Sequence, residues 1–237
     1  MQKEVYKRHI NNYSDHWWFQ ARKKILETVI KKNISKKNIN ILDFGSGSGV
    51  NIKMLSKYGH VNIYEPHTIT RKYLRKKFNS KKYSVINKYI EKKYDLILLA
   101  DVLEHIKDDK RIIKKLNKTL KKNGFILITV PSYKILFSKK DLILGHYRRY
   151  SKTEILNLFR NFKKVKLTFF NSILFFPISF IILFFKFLRI DFIDDVEKSP
   201  NKIVNFILFK IFTIERRLIN HCNLPFGISM LGLFQKK

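Results

Sequence analysis

The feature that most limits what this chain can fold into is a short apolar run, Ile39–Phe44, that carries an acid near its end and then breaks into three alternating glycines: Asp43-Phe44-Gly45-Ser46-Gly47-Ser48-Gly49. Six apolar-rich residues bounded by turn formers read as a buried strand. The glycines that follow allow a sharp turn and let a ligand approach the main chain closely. At the end of a parallel strand, such a turn aims amides of the next segment into the crevice beside the strand ends, where open α/β sheets hold their ligands. Glycine turns of several kinds do this, dinucleotide sites included, so the turn marks a place and leaves the ligand open.

The rest of the first two thirds alternates strands with helices. A helix is expected from Ser14 to Lys32, with Trp18, Ile25 and Val29 apolar and Asp15 as its cap. After the first strand come a helix over 52–58, a strand over 61–64, a basic helix over 68–79 and a weaker strand over 83–86. The run Tyr94–Ala100 (YDLILLA) is apolar without alternation, as in a parallel strand covered on both faces. A helix over 107–121 follows, with Asn123-Gly124 as its left-handed stop, and then a strand over 125–130 halted by Pro131. Strands and helices in this order specify a Rossmann-like doubly wound α/β sheet of about seven strands.

Two details narrow the ligand. The spacing is G-x-G-x-G with an acid two residues ahead, unlike the G-x-G-x-x-G of dinucleotide folds, and Glu65 ends the second strand 22 residues after Asp43. A carboxylate there can accept hydrogen bonds from both ribose hydroxyls. With no phosphate-directed residues nearby, an adenosyl cofactor fits. The plainer alternative is a tight turn beside a surface glutamate.

Over residues 40–160 the chain resembles the class I S-adenosylmethionine-dependent methyltransferases. ILDFGSGSG is similar to their first motif, Glu65 to their ribose-binding acid, YDLILLADVLEHI to their fourth-strand motif and LKKNGFILITVP to the fifth-strand region. The resemblance implies S-adenosylmethionine as cofactor. It implies that Gly45, Gly47 and Gly49 line the methionine end, with Asp43 supporting the turn and Asp101 beside it. The adenine-contacting acid usual after the third strand is missing, and Asn87 stands nearest. HWWFQARKKIL, DLILGHYRRYS and LPFGISMLGLFQKK are similar to a bacterial subgroup that often bears a hydrophobic insertion. The implied division is 1–38 as an N-terminal helical cap, 39–170 as the cofactor-binding core, 171–226 as an apolar helical insertion and 227–237 as the final core strand.

Methyl transfer needs an in-line approach of donor and acceptor, and an oxygen or nitrogen acceptor must also lose a proton. Asp101, Glu104 and His105 follow the fourth strand at spacings that put them on one face of a helical turn, with His105 the natural base near neutrality. Two other roles stand beside that one. The acids could cap the following helix, or, by resemblance to the E-x-x-E-H stretch of quinone-precursor O-methyltransferases, the trio could hold a divalent cation. In Gly145–Tyr150 (GHYRRY), His146 is a further catalytic candidate, while Tyr147, Arg148 and Arg149 are candidates for clamping an acidic acceptor. The plain reading of that stretch is a basic loop entering a helix over 151–160, with Ser151 and Glu154 forming a capping box. Trp17 and Trp18 serve as packing and lid together.

The net charge of +31 attracts anionic lipid or nucleic acid. The lysines are dispersed, however, and no basic-aromatic cluster of the RNA-binding kind is evident. Residues 167–185 carry no charge, and a strand over 164–170 leads into an apolar helix over 172–185, interrupted by Pro177. A second apolar helix over 203–214 follows a loop containing Ser199-Pro200, and 228–234 forms the last strand. The first apolar helix is short for a bilayer span and suits an interfacial segment; a lid over a pocket is the other use. A single cysteine, Cys222, and a start without a continuous apolar run suggest a cytoplasmic protein, peripheral or monotopic on the inner face of the cytoplasmic membrane. The expected function is methyl transfer to an O or N atom of a small or lipid-linked acceptor, of envelope glycan or quinone type. An RNA methyltransferase, or a non-catalytic cofactor-binding membrane assembly subunit, is the alternative.

Overall fold

The computed structural model describes residues 16–90, 92–190 and 200–237. Asp15, the expected helix cap, and Ser199 lie outside them. Helix α1 (Trp17–Asn33) opens on His16, whose Nδ1 accepts from the Trp18 amide at 3.2 Å. Its buried stripe comprises Ala21, Arg22, Ile25, Leu26, Val29 and Ile30.

Alternation then proceeds through β1 (Ile39–Phe44), α2 (Ile52–Leu55), β2 (Gly59–Tyr64), α3 (Thr68–Lys77), β3 (Tyr83–Ile86), β4 (Tyr94–Ala100), α4 (Asp109–Thr119) and β5 (Leu120–Pro131). Beyond β5 come α5 (Lys139–Leu144), α6 (Lys152–Leu158), β6 (Phe162–Phe170), α7 (Phe175–Phe187), α8 (Lys202–His221) and β7 (Ser229–Lys236). The sheet has the order β3-β2-β1-β4-β5-β7-β6, parallel except for β7, which runs antiparallel to both neighbours. Strand order reverses direction between β1 and β4, and the crevice above that switch point is where such sheets bind ligands.

Both faces of the sheet are covered. One carries Ile25, Leu26, Leu74, Phe212 and Ile219 from α1, α3 and α8. The other carries Ile113 and Leu116 from α4, Ile155 from α6 and Phe159 just after it. This double covering explains why β4 is apolar without alternation from Leu96 to Ala100.

Several element boundaries differ from the sequence pattern for local reasons. The helix expected over 52–58 is a single turn, because β2 begins at Gly59, which pairs with Ile39. A Cβ on Gly59 would lie 2.0 Å from the Ile39 carbonyl oxygen. Helix α4 is capped by Asp108, which accepts from the Arg111 amide at 2.9 Å, so Asp101 and Glu104 do not cap it. It ends at Thr119, before the expected stop, because Leu120 already pairs with Tyr94; Asn123, at φ +60°, turns the chain inside β5 instead. The expected helix over 151–160 is present as α6, with both bonds of the Ser151–Glu154 capping box.

Between β6 and β7 lie two helices, α7 and α8, at Phe175–Phe187 and Lys202–His221, where apolar helices were expected over 172–185 and 203–214. Pro177 is the third residue of α7, where the amide it lacks would have had no helical partner. Helix α8 is twenty residues long, not twelve, because its buried stripe of Phe212, Glu215 and Ile219 continues beyond the apolar run. Trp18 stacks on Phe212 at 5.1 Å and on Phe170 at 5.9 Å, and Trp17 meets Phe212 edge-on at 5.7 Å. The tryptophans thereby pack α1 against α8. Helix α7 buries only Ser179 and leaves Phe176, Phe180, Phe184 and Phe187 exposed. Among the described residues, no helix is long and apolar enough to cross a membrane.

Candidate functional site

The three glycines have distinct jobs. All take positive φ: +75° at Gly45, +54° at Gly47 and +80° at Gly49. A Cβ on Gly45 would stand 2.8 Å from Val102 Cγ2, and one on Gly49 would stand 2.5 Å from Phe78 Cε2. Gly45 therefore seats the turn against the segment after β4, and Gly49 seats it against the end of α3. A Cβ on Gly47 would meet nothing within 4 Å. Gly47 faces open space at the tip of the turn, which is the cradle a ligand needs.

Glu65 lines the same space. The register sets Phe44 opposite Tyr64, so Glu65 leaves β2 level with the turn. Its Oε2 accepts from the Gly47 amide at 2.9 Å and its Oε1 from the His67 amide at 2.9 Å. Burial pushes its pKa up against those bonds. Each carboxylate oxygen keeps a further lone pair for a hydroxyl donor. Asp43 is buried and its Oδ2 has no partner among the described residues. Burial pushes its pKa up to about 7, with Ser46 and Arg22 drawing it down.

Across the switch point, Asp101 follows β4 at φ +55°, a conformation that Asp tolerates better than most residues. Its backbone is held by its amide donating to the Thr129 carbonyl at 3.1 Å, and Thr129 Oγ1 donates to its Oδ1 at 2.6 Å. Its Oδ2 is ion-paired with Arg22. Arg22 is buried on α1, and its Nε has no partner among the described residues. The sequence reading had not singled out Arg22 as a site residue. The available signal was its place on the buried stripe of Trp18, Ile25 and Val29, where a charge needs a partner.

Beyond Asp101 a 3-10 turn, Leu103–His105, presents the other candidates. Glu104 is 1% exposed, and neither of its carboxylate oxygens has a partner among the described residues. Burial and the neighbouring Asp101 raise its pKa well above the carboxylate range. His105 Nδ1 donates to the Gly145 carbonyl at 3.3 Å, and its ring meets that of His146 edge-on at 4.7 Å. Burial and His146 lower the His105 pKa to about 4, so this imidazole is neutral at pH 7. His146 Nδ1 donates to Asp141 Oδ1 at 2.8 Å.

The arginines of the GHYRRY stretch are occupied elsewhere. Arg149 is buried, and its Nε donates to both carboxylate oxygens of Asp141 at 3.0 and 3.1 Å. Arg148 donates to Asp109 Oδ2 at 3.1 Å and to the Lys107 carbonyl at 2.6 Å. These pairs hold the loop onto α4 and α5, with Arg149 buried and Arg148, the more exposed of the two expected clamp residues, at the surface. Tyr147 is exposed, and its amide donates to the Glu104 carbonyl at 2.7 Å. Asn87, the expected adenine contact, is exposed after β3 and its Oδ1 accepts from Arg75 at 2.8 Å. Asp141, which organises His146 and Arg149, was also missed, although Ser138-x-x-Asp141 is a legible capping box.

The donor set suits S-adenosylmethionine. Glu65 offers acceptors for ribose hydroxyls, Asp43 offers an unpartnered acceptor for a cationic group, and Arg22 offers guanidinium nitrogens for a carboxylate. The fold, with its switch-point crevice, glycine cradle and strand-ending acid, defines a nucleoside-binding α/β domain of the methyltransferase type. A model described as a methyltransferase domain matches residues 14–163, and the chain belongs to that family, the class I S-adenosylmethionine-dependent methyltransferases. A ubiquinone biosynthesis O-methyltransferase of Pelagibacter ubique (strain HTCC1062) is 30% identical over 140 residues, covering 48% of this chain and 58% of that protein. The match thus spans little more than half of the relative's length. Among solved structures, the plantazolicin methyltransferase BpumL shares 14% identity over 99% of this chain and 90% of its own, with a TM-score of 0.61. The N-methyltransferase NodS from Bradyrhizobium japonicum shares 13% identity over 98% of this chain and 97% of its own, with a TM-score of 0.56. Both show the same fold.

Proposed function

We propose that this protein transfers a methyl group from S-adenosylmethionine to an oxygen or nitrogen of a small or lipid-linked acceptor, of quinone or envelope-glycan type. The observation that carries the donor half is the open cradle at Gly47 beneath Glu65, with the orphaned Asp43 oxygen beside it. The sulfonium methyl is already activated, so the protein's task is to hold donor and acceptor in line. Asp101, fixed by Arg22 and Thr129, borders the donor. Beyond it, in the cluster of Glu104, His105 and His146, the neutral His105 takes on Nε2 the proton that leaves the acceptor atom as the new bond forms.

Helix α7 supports the lipid-linked acceptor. A helix that is apolar on all sides is normally buried, yet α7 exposes four phenylalanines along with Ile181 and Leu183. Thirteen residues span about 20 Å, short of the roughly 30 Å hydrocarbon core. With Lys186, Arg189 and Lys202 exposed beside its C-terminus and the start of α8, α7 is suited to lie in the interface of an anionic membrane.

Calorimetry with S-adenosylhomocysteine tests the donor half: binding is expected, and Gly47→Arg should abolish it. Heat traces without binding in the wild type would overturn it. Co-sedimentation with phosphatidylglycerol vesicles at low salt tests the membrane half, and Phe180→Asp with Phe184→Asp should release the protein. Indifference to vesicles, with co-sedimentation on bulk RNA instead, would move the acceptor class to nucleic acid.

A further inference from the structure

We propose that the outer edge of the sheet carries a second binding site, for a phosphate-bearing amphiphile with one apolar chain, in two adjoining cavities that meet at Lys152 and Phe169. The site lies on β6, the third strand beyond β4 in the sheet, and so stands apart from the cofactor cradle. It does not depend on which molecule accepts the methyl group.

The first cavity, of about 320 Å³, lies along β6 beside the segment 223–225. Lys152, Lys164 and Lys166 line it, and no acidic residue among the described ones does. Lys166 is engaged, its Nζ donating to the Cys222 carbonyl at 3.3 Å and to Asn223 Oδ1 at 3.2 Å. Burial and the nearby Lys32 lower its pKa, as befits a cation short of counter-charge. Lys152 and Lys164 are exposed, and neither has an ion pair among the described residues. The backbone adds a donor. The Phe169 amide points off the sheet edge and donates to the Leu224 carbonyl at 3.3 Å. Amides alternate in direction along a strand, so the Leu167 amide leaves β6 on the same side, where Leu167 lines the cavity. A phosphate has the charge and the acceptor oxygens to meet both free ammonium groups and this amide.

The second cavity, of about 340 Å³, is lined by Tyr133, Ile135 and Tyr150 together with the shared Lys152 and Phe169. Both volumes fall at the scale of about 300–1,000 Å³ typical of small-molecule sites. Lys134, also on its wall, is already paired with Glu154 at 2.6 Å. The Tyr150 hydroxyl is bonded inward to the Leu103 carbonyl at 3.1 Å and Asp109 at 2.9 Å, so its ring is what the cavity meets. Tyr133 stacks on Phe169 at 5.5 Å and meets Phe175 at 5.2 Å, which joins this wall to the start of α7. From the other end of α7, Lys186 donates to the Ile135 carbonyl at 3.2 Å. An apolar chain laid beside α7 therefore enters the second cavity and carries its head group past Lys152 into the first.

Farnesyl phosphate below its micelle concentration is the probe, titrated by calorimetry into the full chain, and one equivalent should bind. Lys152→Gln with Lys164→Gln should weaken it about 100-fold, at about tenfold for each charged contact. Ile135→Asp, at a side chain 63% exposed and therefore tolerant of replacement, should weaken it about tenfold. Farnesol and inorganic phosphate each lack half of the ligand and should bind at least about 100-fold more weakly than the probe. Phe180→Asp with Phe184→Asp should leave probe affinity intact while vesicle binding is lost, which separates a lipid held in the cavities from head groups met at a membrane surface. Inorganic phosphate binding as tightly as the probe would reduce the site to an anion patch, and farnesol doing so would reduce it to an apolar cleft. Either result overturns the proposal, as does probe affinity that ignores the lysine pair or vanishes with the α7 phenylalanines. S-adenosylhomocysteine affinity should be unchanged in the lysine variant. Loss of cofactor binding in the wild type sinks the methyltransferase reading alone, and loss of probe binding sinks only the second site.

Discussion

Replacing the middle and last glycines of the turn separates ligand space from packing. Gly47→Ala places a methyl where nothing lies within 4 Å, so its stability cost is the left-handed backbone alone. That is about 1–2 kcal/mol for an alanine, which lowers the melting temperature of a chain this size by roughly 2–8 °C. The same methyl intrudes on the cradle, and losing about 1.4 kcal/mol of binding corresponds to a tenfold weaker cofactor. Gly49→Ala carries the same backbone cost at φ +80° and drives its Cβ to 2.5 Å from Phe78, 2.8 Å from Ile52 and 2.9 Å from Leu74. Overpacking adds about 1–3 kcal/mol, for a total near 3 kcal/mol and a fall of roughly 6–12 °C. Thermal melts paired with S-adenosylhomocysteine titrations read both quantities. The expected result is a crossed pattern, with Gly47→Ala the weaker binder and Gly49→Ala the less stable protein. Full affinity in Gly47→Ala would show that the open space at the turn is not where the cofactor lies.

Three further outcomes follow from named contacts. Phe212→Ala, at a fully buried ring stacked on Trp18, should cost about 3–5 kcal/mol in urea unfolding; a loss under 1 kcal/mol would mean that α8 is not docked on α1. Arg149→Ala leaves the buried Asp141 carboxylate without its guanidinium partner, with His146 and Ser138 as remaining donors, and should cost about 3 kcal/mol, against less than about 1 kcal/mol for the more exposed Arg148→Ala; similar small costs for both would favour the clamp. Asp43 has a folded pKa raised to about 7 from 3.8, so in the ligand-free protein the folded state holds an extra proton between those values. Its contribution to stability therefore falls as pH rises from 4 to 7, by up to about 1.4 kcal/mol per pH unit. Denaturation midpoints of wild type and Asp43→Asn should diverge across that window, and parallel profiles would refute the assignment.

Much of this protein was legible in the chain itself. Ile39–Phe44 and Tyr94–Ala100 are strands at their expected bounds because buried parallel strands announce themselves as short, mostly apolar runs. The Asp43 to Gly49 turn and Glu65 were legible because backbone conformation and strand-end position are local properties. The Ser151–Glu154 box was legible for the same reason. Errors gathered where a distant strand decides the end of a helix, as Ile39 does for α2 and Tyr94 does for α4. The site beyond the turn depends on contacts between residues far apart in sequence. Arg22 reaches Asp101 across 79 positions and His105 meets Gly145 across 40, and no periodicity encodes such distances. The same reach gives Arg149 its partner Asp141 and sets the His146 ring against that of His105. The sequence alone determined a doubly wound sheet with an open glycine turn and a strand-ending acid at its switch point, because strand patterning and glycine conformation are set residue by residue. Only the tertiary structure decided which charged side chains are satisfied and which are left facing the crevice, because that depends on which partners the fold brings within reach.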